Sequence, residues 1–424
     1  MPPSRFDALV VGSGPAGSVA ALVLARAGAR VALVDKATFP RDKACGDMVG
    51  PRGLQLLADL GVSLPAGRDV GDMLVVSPTG RTVRLPSAAG LTYPGHGTAL
   101  TRTAFDALLH HAATDAGAVP VSGRADEPLE ADGRIDGYRL STGEELRSDF
   151  VIGADGATSA VAAAAGLVDP DKVLWGFAVR TYLAQDVGLA AIVMWEPRPW
   201  RGFPGYGWVF PGPHGGANVG LGIGTRADRR AGARAVQALP QFLAHLETLG
   251  LLDPGVSAQP ARRLGGWLKM GIVGTTPAAG RVLLVGDAAG LVNPIQGEGI
   301  SQAMRSGWLA GEAIVASAGG GSAAARYRAG LAREHLPYQR ITAAVQAALV
   351  GRPRAVATFA RLLTAAAGSA DAFAGGWAVF SNELLDGAPP GRHRTVAAAL
   401  TGVGSALTAR TATARWLSAT LPAR

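Results

Sequence analysis

Apolar residues in this chain fall into short solid runs separated by polar, glycine-marked breaks, and the first few segments set the frame. Ala8–Val11 is an unbroken apolar run, as expected of a strand buried on both faces. It stops at Gly12-Ser13-Gly14-Pro15-Ala16-Gly17. Ser18–Ala27 follows, rich in Ala, Leu and Val with no breaker, and reads as a helix. A second run, Val31–Val34, ends on an acid, Asp35. In this strand–turn–helix–strand setting a G-x-G-x-x-G pattern acquires chemical meaning. Gly12 permits the tight turn, Gly14 lets backbone approach a pyrophosphate, and Gly17 lets the helix lie close on the strand. Asp35 stands where a ribose hydroxyl would be bound. The helix opening at Pro15 and Ala16 offers free N–H groups and a positive dipole end to phosphates. The alternative is a glycine turn in an ordinary βαβ unit; strand, helix and acid together favour a dinucleotide.

Further along, Pro51–Leu60 reads as a proline-opened helix. Met73–Val76 and Arg81–Leu85 read as a hairpin across Pro78-Thr79-Gly80. Ala99–Arg102 is a short strand, Phe105–Ala116 an amphipathic helix, and alternating strands run on to Leu146. Phe150–Gly156 closes a strand into a turn. From Trp175 to about Gly224 the pattern changes to long aromatic-bearing strands, read as an antiparallel sheet of a second domain. Arg281–Asp287 is another buried strand, followed by a glycine-punctuated loop and a helix from about Ile300 to Ala318. From Ala323 the chain reads as mostly helical, broken at Arg352-Pro353 and Pro389-Pro390-Gly391. The expected fold is therefore α/β (α+β overall): a discontinuous Rossmann-like domain (1–72, 98–170 and 265–322) interleaved with an antiparallel-sheet substrate domain (73–97 and 171–264). A C-terminal helical region spans 323–424.

Composition narrows the setting. A chain of 424 residues, 48% hydrophobic, can bury a large core and suggests two or three domains. The single cysteine, Cys45, excludes an internal disulfide and fits a reducing compartment or indifference to redox. The polar lead Met1–Arg5 lacks the apolar stretch of a secretory signal. The longest uncharged apolar candidate, Val396–Leu407, is too short to cross a bilayer. A cytoplasmic protein is expected, with no metal site. Net charge is +8, and beyond Glu334 the acids thin to Asp371, Glu383 and Asp386 while arginines continue to Arg424. Such a tail suits peripheral attraction to an anionic membrane face, the alternative being an arginine-biased composition. Nucleic acid is not expected, because the basic residues do not interleave with aromatics in a recognisable binding module. The oligomeric state is not readable.

Three separated signals, Gly12–Gly17, Asp155-Gly156 and Gly286-Asp287-Ala288-Ala289-Gly290, occur in one order. In that order the chain resembles, from residue 6 to about 320, the FAD-dependent group of aromatic hydroxylases, flavin halogenases and geranylgeranyl reductases. The resemblance implies that the first motif holds the ADP half of FAD and that Asp287 binds the ribityl chain. It also implies that the helix opening at Gly297-Glu298-Gly299-Ile300 faces the flavin N1–C2=O edge, where its dipole favours the reduced anion. Gly153, Ala154, Asp155, Gly156, Ser159 and Val161 match a GADGxxSxVR motif, but Ala162 stands where the group has arginine. Arg102 falls where the group has a flavin-contacting arginine; a surface arginine capping a helix is the alternative. Lys36, Arg41, Cys45, Gly46 and Ala125 are placed beside the cofactor by the same resemblance.

Two stretches separate subfamilies. Pro40–Asp47 looks like the PRDKxCGD loop of geranylgeranyl reductases, and Tyr206-Gly207-Trp208-Val209-Phe210-Pro211 with Gly220-Leu221-Gly222 like their YxWxFP…GxG motif. Tyr206, Trp208 and Phe210 alternate along a strand and so share one face, either as half of a core or as an aromatic wall for an apolar chain. Halogenases carry WxWxIP instead and rely on a lysine; none of Lys36, Lys43, Lys172 and Lys269 is evidently placed for that role. The resemblance thus implies an FAD-dependent reductase saturating isolated C=C bonds of a prenyl chain: a geranylgeranyl lipid, a menaquinone side chain or a specialised terpenoid. A flavin monooxygenase, a halogenase and a flavin-loaded lipid-binding protein are the alternatives. With no second nucleotide fingerprint, electrons are expected from transiently bound NAD(P)H or a ferredoxin-like donor. Cys45, in the loop placed near the flavin, is the catalytic candidate. A thiol of reference pKa about 8.5 is a weak acid for an alkene, so shaping the pocket is its alternative role.

Overall fold

The computed structural model describes residues 5–77, 80–85, 94–195, 205–226, 230–259, 262–294 and 297–335, with single positions up to 358. Among them, one sheet has eight strands. Its centre is parallel, in the order Val282–Leu284, Glu145–Gly153, Arg5–Val11, Val31–Asp35, Val119–Ser122. The runs Ala8–Val10 and Val31–Val34 are buried, as solid apolar strands between helical layers must be. Ala125–Ala131 and Arg134–Leu140 extend one side as an antiparallel meander.

Close backbone contacts hold this layer together. The helix Pro15–Arg26 opens on proline, whose missing N–H costs nothing in a first turn. Across it lies Ile300–Ser317, and glycines set how near the two come. A Cβ on Gly307 would meet the Ala16 carbonyl oxygen at 2.1 Å, and one on Gly311 would meet Val23 Cγ1 at 2.8 Å. The expected helices at Pro51–Leu60, Phe105–Ala116 and Ile300–Ala318 are present as Pro51–Asp59, Arg102–Asp115 and Ile300–Ser317.

The second sheet has seven strands among the described residues. They run Leu264–Met270, Leu174–Leu183, Ala217–Arg226, Gly205–Pro211, Ala190–Val193, Met73–Val76, Thr82–Leu85. All neighbours are antiparallel except Ala190–Val193 against Met73–Val76, which are parallel. Its edge strand turns at Met270 to bridge Val292, in the loop after Asp287, so the two sheets meet there. A small third sheet joins Met48–Val49, Gly97–Ala99 and Arg68–Val70.

One helix stands where the sequence reading has only sheet. Arg230–Thr248 covers the outer face of the second sheet with Ala235, Ala238, Leu239, Phe242, Leu243 and Leu246, packed on Val179, Val209, Val219 and Leu221. The three- and four-residue spacing of that stripe is a helical signal, interrupted to the eye by Pro240. Of the expected C-terminal helical region, Ala323–Glu334 is a helix; from 336 on, all but single positions lie outside the described residues.

The tightest contact of the second sheet is Gly207 beneath Phe242, where a Cβ would sit 2.0 Å from the ring. Gly207→Ala should therefore destabilise the protein by about 1–3 kcal/mol, the range of an overpacked core, and lower its melting temperature. Phe242→Leu in the same chain should recover part of that loss; a Gly207→Ala melting curve superimposable on the parent would show that the helix yields freely.

Candidate active site

The three fingerprint glycines do different work. Gly12 has φ 103°, and a Cβ there would lie 2.4 Å from the Ala154 carbonyl oxygen. A Cβ on Gly17 would lie 1.8 Å from the Gly12 carbonyl oxygen. Both are required by the chain's own packing. Gly14 is different: a Cβ there would meet only Arg41 Nη2, at 3.5 Å. Its surroundings are open, at the N-terminus of a twelve-residue helix, and fit the diphosphate of a dinucleotide. Beyond it, Asp35 Oδ2 accepts the Ser13 N–H at 2.8 Å and Oδ1 accepts that of Ala37 at 2.8 Å. Each oxygen keeps a lone pair for a ribose hydroxyl. Lys36 is exposed beside it, and the Gly123 N–H donates to the Asp35 carbonyl, bringing the strand that starts at buried Ala125 alongside.

Sequence reasoning missed a histidine here. Ser13 Oγ lies 2.7 Å from His110 Nδ1, and that ring stacks on Phe39 with centroids 4.4 Å apart. Burial lowers the His110 pKa, so the imidazole is neutral at pH 7. No local pattern marks a lone histidine, and only the fold brings it to the fingerprint.

A buried carboxylate organises the middle of the site. Asp106 accepts Arg102 Nε and Nη2, each at 2.7 Å, and lies 2.9 Å from Arg41 Nη1. Burial alone would lower the Arg102 pKa, but the Asp106 charge and hydrogen bonds outweigh it and keep the guanidinium charged. Arg102 is thus a buried side chain forked on its own helix, with the Cys45 thiol near its charge. Burial pushes the Cys45 thiol up, and the Arg102 charge pulls it only partly back, so the thiol is held neutral.

At the same end of the parallel sheet, two strands across from the fingerprint, Asp287 closes its strand into the turn Gly286–Ala289. Lys43 Nζ stands 3.6 Å from Asp287 Oδ2, and a Cβ on Gly299 would lie 3.8 Å from Oδ1. The helix beginning at buried Ile300 therefore opens beside this carboxylate, with Glu298 Oε1 accepting the Ser301 N–H at 2.9 Å. Lys269, from the second sheet, is buried behind the turn, where a Cβ on Gly290 would touch its Cγ at 3.5 Å. Burial lowers it to about 8, against the opposing pull of Asp155 and Asp287. Asp155 itself accepts Ser159 Oγ at 2.5 Å and the Val161 N–H at 3.1 Å, which caps the short helix Ala160–Ala164. Ala162, at the position of the motif's arginine, is fully buried.

Tyr206, Trp208 and Phe210 do share one face, their ring centroids 6.4 and 6.3 Å apart in succession. Trp208 and Phe210 are buried, Tyr206 half-buried, and Pro211 ends the strand opposite Ala217. The Cys45-Gly46-Asp47 loop lies directly on them: a Cβ on Gly46 would meet the Phe210 ring at 2.9 Å. Tyr206 Oη reaches the other way, 3.3 Å from where a Gly297 Cβ would be. So the loop, the aromatic strand and the start of the Ile300 helix converge, with Asp287 joined through Lys43.

An FAD binding domain model matches residues 5–186. The menaquinone reductase of Mycolicibacterium smegmatis is 34% identical over 316 residues, 73% of this chain and 76% of that protein. The chain belongs to the geranylgeranyl reductase family of FAD-dependent oxidoreductases. Digeranylgeranylglycerophospholipid reductase 2 of Methanopyrus kandleri is 35% identical over 319 residues, 73% of this chain and 76% of that one. Geranylgeranyl diphosphate reductase of Rhodobacter capsulatus is 32% identical over 352 residues, 78% and 81%. In three dimensions a geranylgeranyl bacteriochlorophyll reductase-like protein of Thermoplasma acidophilum matches with TM-score 0.68 and 23% identity, covering 86% of this chain and 92% of that one. A flavin-dependent halogenase also reaches TM-score 0.68 at 21% identity, over 96% of this chain and 78% of its own. Likeness at these identities is one of fold. The chain is an FAD-dependent reductase.

The contrast among the glycines makes a prediction. Gly14→Val fits the folded chain and should leave the melting temperature of the apoprotein within a few degrees. It should weaken FAD binding by about tenfold or more, since its branches fill the phosphate cradle. Unchanged FAD affinity by fluorescence titration would mean that the diphosphate lies elsewhere.

Proposed function

We propose that this protein saturates isolated C=C bonds of a prenyl chain. The observation that carries the reading is the seating of the Cys45-Gly46-Asp47 loop on the Tyr206–Phe210 strand. Those two motifs set this branch of flavoproteins apart, and here they form one wall beside the opening of the Ile300 helix. The names of the relatives support a prenylated substrate. Bound FAD supplies the hydride when reduced.

The chain's own residues do the rest. Gly14 and the helix N-terminus behind it would hold the diphosphate, Asp35 the ribose and Asp287 the ribityl hydroxyls, flanked by Lys36, Arg41, Gly46 and Ala125. The helix that opens after Gly297-Glu298-Gly299 at Ile300 would offer its positive end to the flavin edge, where it would stabilise negative charge. Tyr206, Trp208 and Phe210 give an apolar chain a dry surface, which orients the alkene and excludes water. An isolated alkene has nothing to polarise it, so the second carbon must receive a proton as the first receives hydride. Cys45 keeps its thiol proton at neutral pH and is next in the chain to Gly46, which touches this wall; it is therefore the candidate to hold that proton.

In the same reading the parallel-sheet segments form the FAD domain, the seven-stranded sheet the substrate domain, and 323–424 the basic region that meets the bilayer. Among the described residues no helix is long and apolar enough to cross a membrane, which suits a peripheral enzyme collecting a lipid. Electrons come from NAD(P)H or a ferredoxin-like donor that docks transiently.

The test is anaerobic. Enzyme reduced with dithionite is mixed with a quinone-free geranylgeranyl lipid in anionic vesicles, and flavin absorbance is followed. It should return to the oxidised spectrum, more slowly at high salt, where vesicle contact weakens. A flavin that stays reduced until air is admitted would replace the reductase with an oxygen-using enzyme.

A further inference from the structure

Between the aromatic strand and its glycine pair lies a residue that neither motif contains. Asn218 is buried in the strand Ala217–Arg226, opposite Phe210 on one side and Tyr182 on the other. Asparagine is a poor choice for a buried central strand, and a carboxamide there is costly unless fully bonded. Its Oδ1 accepts Trp208 Nε1–H at 2.9 Å. Its Nδ2 donates to the Cys45 carbonyl oxygen at 2.9 Å and to Asp47 Oδ2 at 3.0 Å. Indole can only donate, so the amide can be oriented no other way.

Asp47 has φ 57°, a left-handed conformation that a non-glycine residue keeps only when its surroundings hold it. Those surroundings are the Tyr182 hydroxyl and Asn218 Nδ2 on one carboxylate oxygen and the Arg102 N–H, at 3.3 Å, on the other. A second tie joins the same loop to the same sheet: Arg180 Nη2 donates to Asp42 Oδ1 at 2.5 Å.

We infer that Asn218 is a positioning residue, whose one carboxamide locks Cys45 and Asp47 in register with Trp208 so that the Cys-Gly-Asp loop stays seated on the aromatic wall. A volume filler would need none of its three bonds. An anchor for the sheet alone would bond to the sheet, whereas two of the three reach into the loop. Asn218 is the link that makes the two branch-specific motifs a single unit. The inference rests on the proposed function for what Cys45 does, but not for its test, which reads the thiol directly.

Cys45 is the only thiol in the chain, so alkylation by iodoacetamide reports the loop without ambiguity. In FAD-loaded protein, Asn218→Leu should raise the alkylation rate roughly tenfold, the change in opening that follows loss of buried hydrogen bonds, while FAD stays bound. Asn218→Asp keeps the acceptor for Trp208 but loses both donors and sets a second carboxylate against Asp47. It should open the loop at least as much, although its volume is the same. Tyr182→Phe, at the half-exposed rim, removes one bond from Asp47 and should give a smaller rise in a protein that still folds. With a prenyl lipid, Asn218→Leu should lose kcat more than KM. Alkylation rates equal to the parent in Tyr182→Phe and in whichever Asn218 variant folds would overturn the inference.

Discussion

Three segments far apart in sequence meet backbone to backbone at the fingerprint helix, and the site exists only because no side chain intervenes. Gly17 packs on Gly12, Gly12 on Ala154 of the second segment, and Gly307 of the third on Ala16. Each contact is closer than a Cβ permits, so each carries a steric demand for glycine. That convergence brings the ends of the Arg5–Val11, Glu145–Gly153 and Val282–Leu284 strands side by side, which delivers Asp155 and Asp287 to one rim. The sheet supplies precision here, and the loops supply chemistry.

Charge is arranged around the same rim. Asp106 is buried, and Arg41 from the loop and Arg102 from its own helix meet on it. One carboxylate thus ties the loop that bears Cys45 to the helix that bears Arg102. Asp287 has Lys43 beside it and Lys269 behind it, the latter contributed by the second sheet. Paired charges of this kind set geometry more than they add stability, because desolvation offsets much of their attraction. Cys45, beside Arg102, stays neutral through burial.

The sequence made legible whatever is local or repeated in pattern. The buried strands at Ala8–Val11 and Val31–Val34, the glycine turn and the shared face of Tyr206, Trp208 and Phe210 follow from periodicity and turn chemistry alone. Helix Arg230–Thr248 did not, because Pro240 interrupts an otherwise regular stripe within a region dominated by strand patterns. Asn218, Asp106 and His110 could not be read either. Apart from Arg102, one turn from Asp106, and Trp208, ten positions from Asn218, their partners Cys45 and Asp47, Arg41, and Ser13 and Phe39 lie far away in the chain. Motif resemblance pointed to the loop and the aromatic strand separately; their contact at Gly46 and Phe210 is a property of the fold.

The central claim is that this wall presents an alkene for reduction and not an aromatic ring for oxygenation. The most direct measurement is the mass of the product formed from a prenyl lipid by the reduced enzyme in air-saturated heavy water. A gain of two deuterium atoms for each saturated bond is the predicted result, because the flavin N–H and the thiol hydrogen both exchange with solvent. A product that has gained an oxygen atom and kept its double bonds would contradict the account.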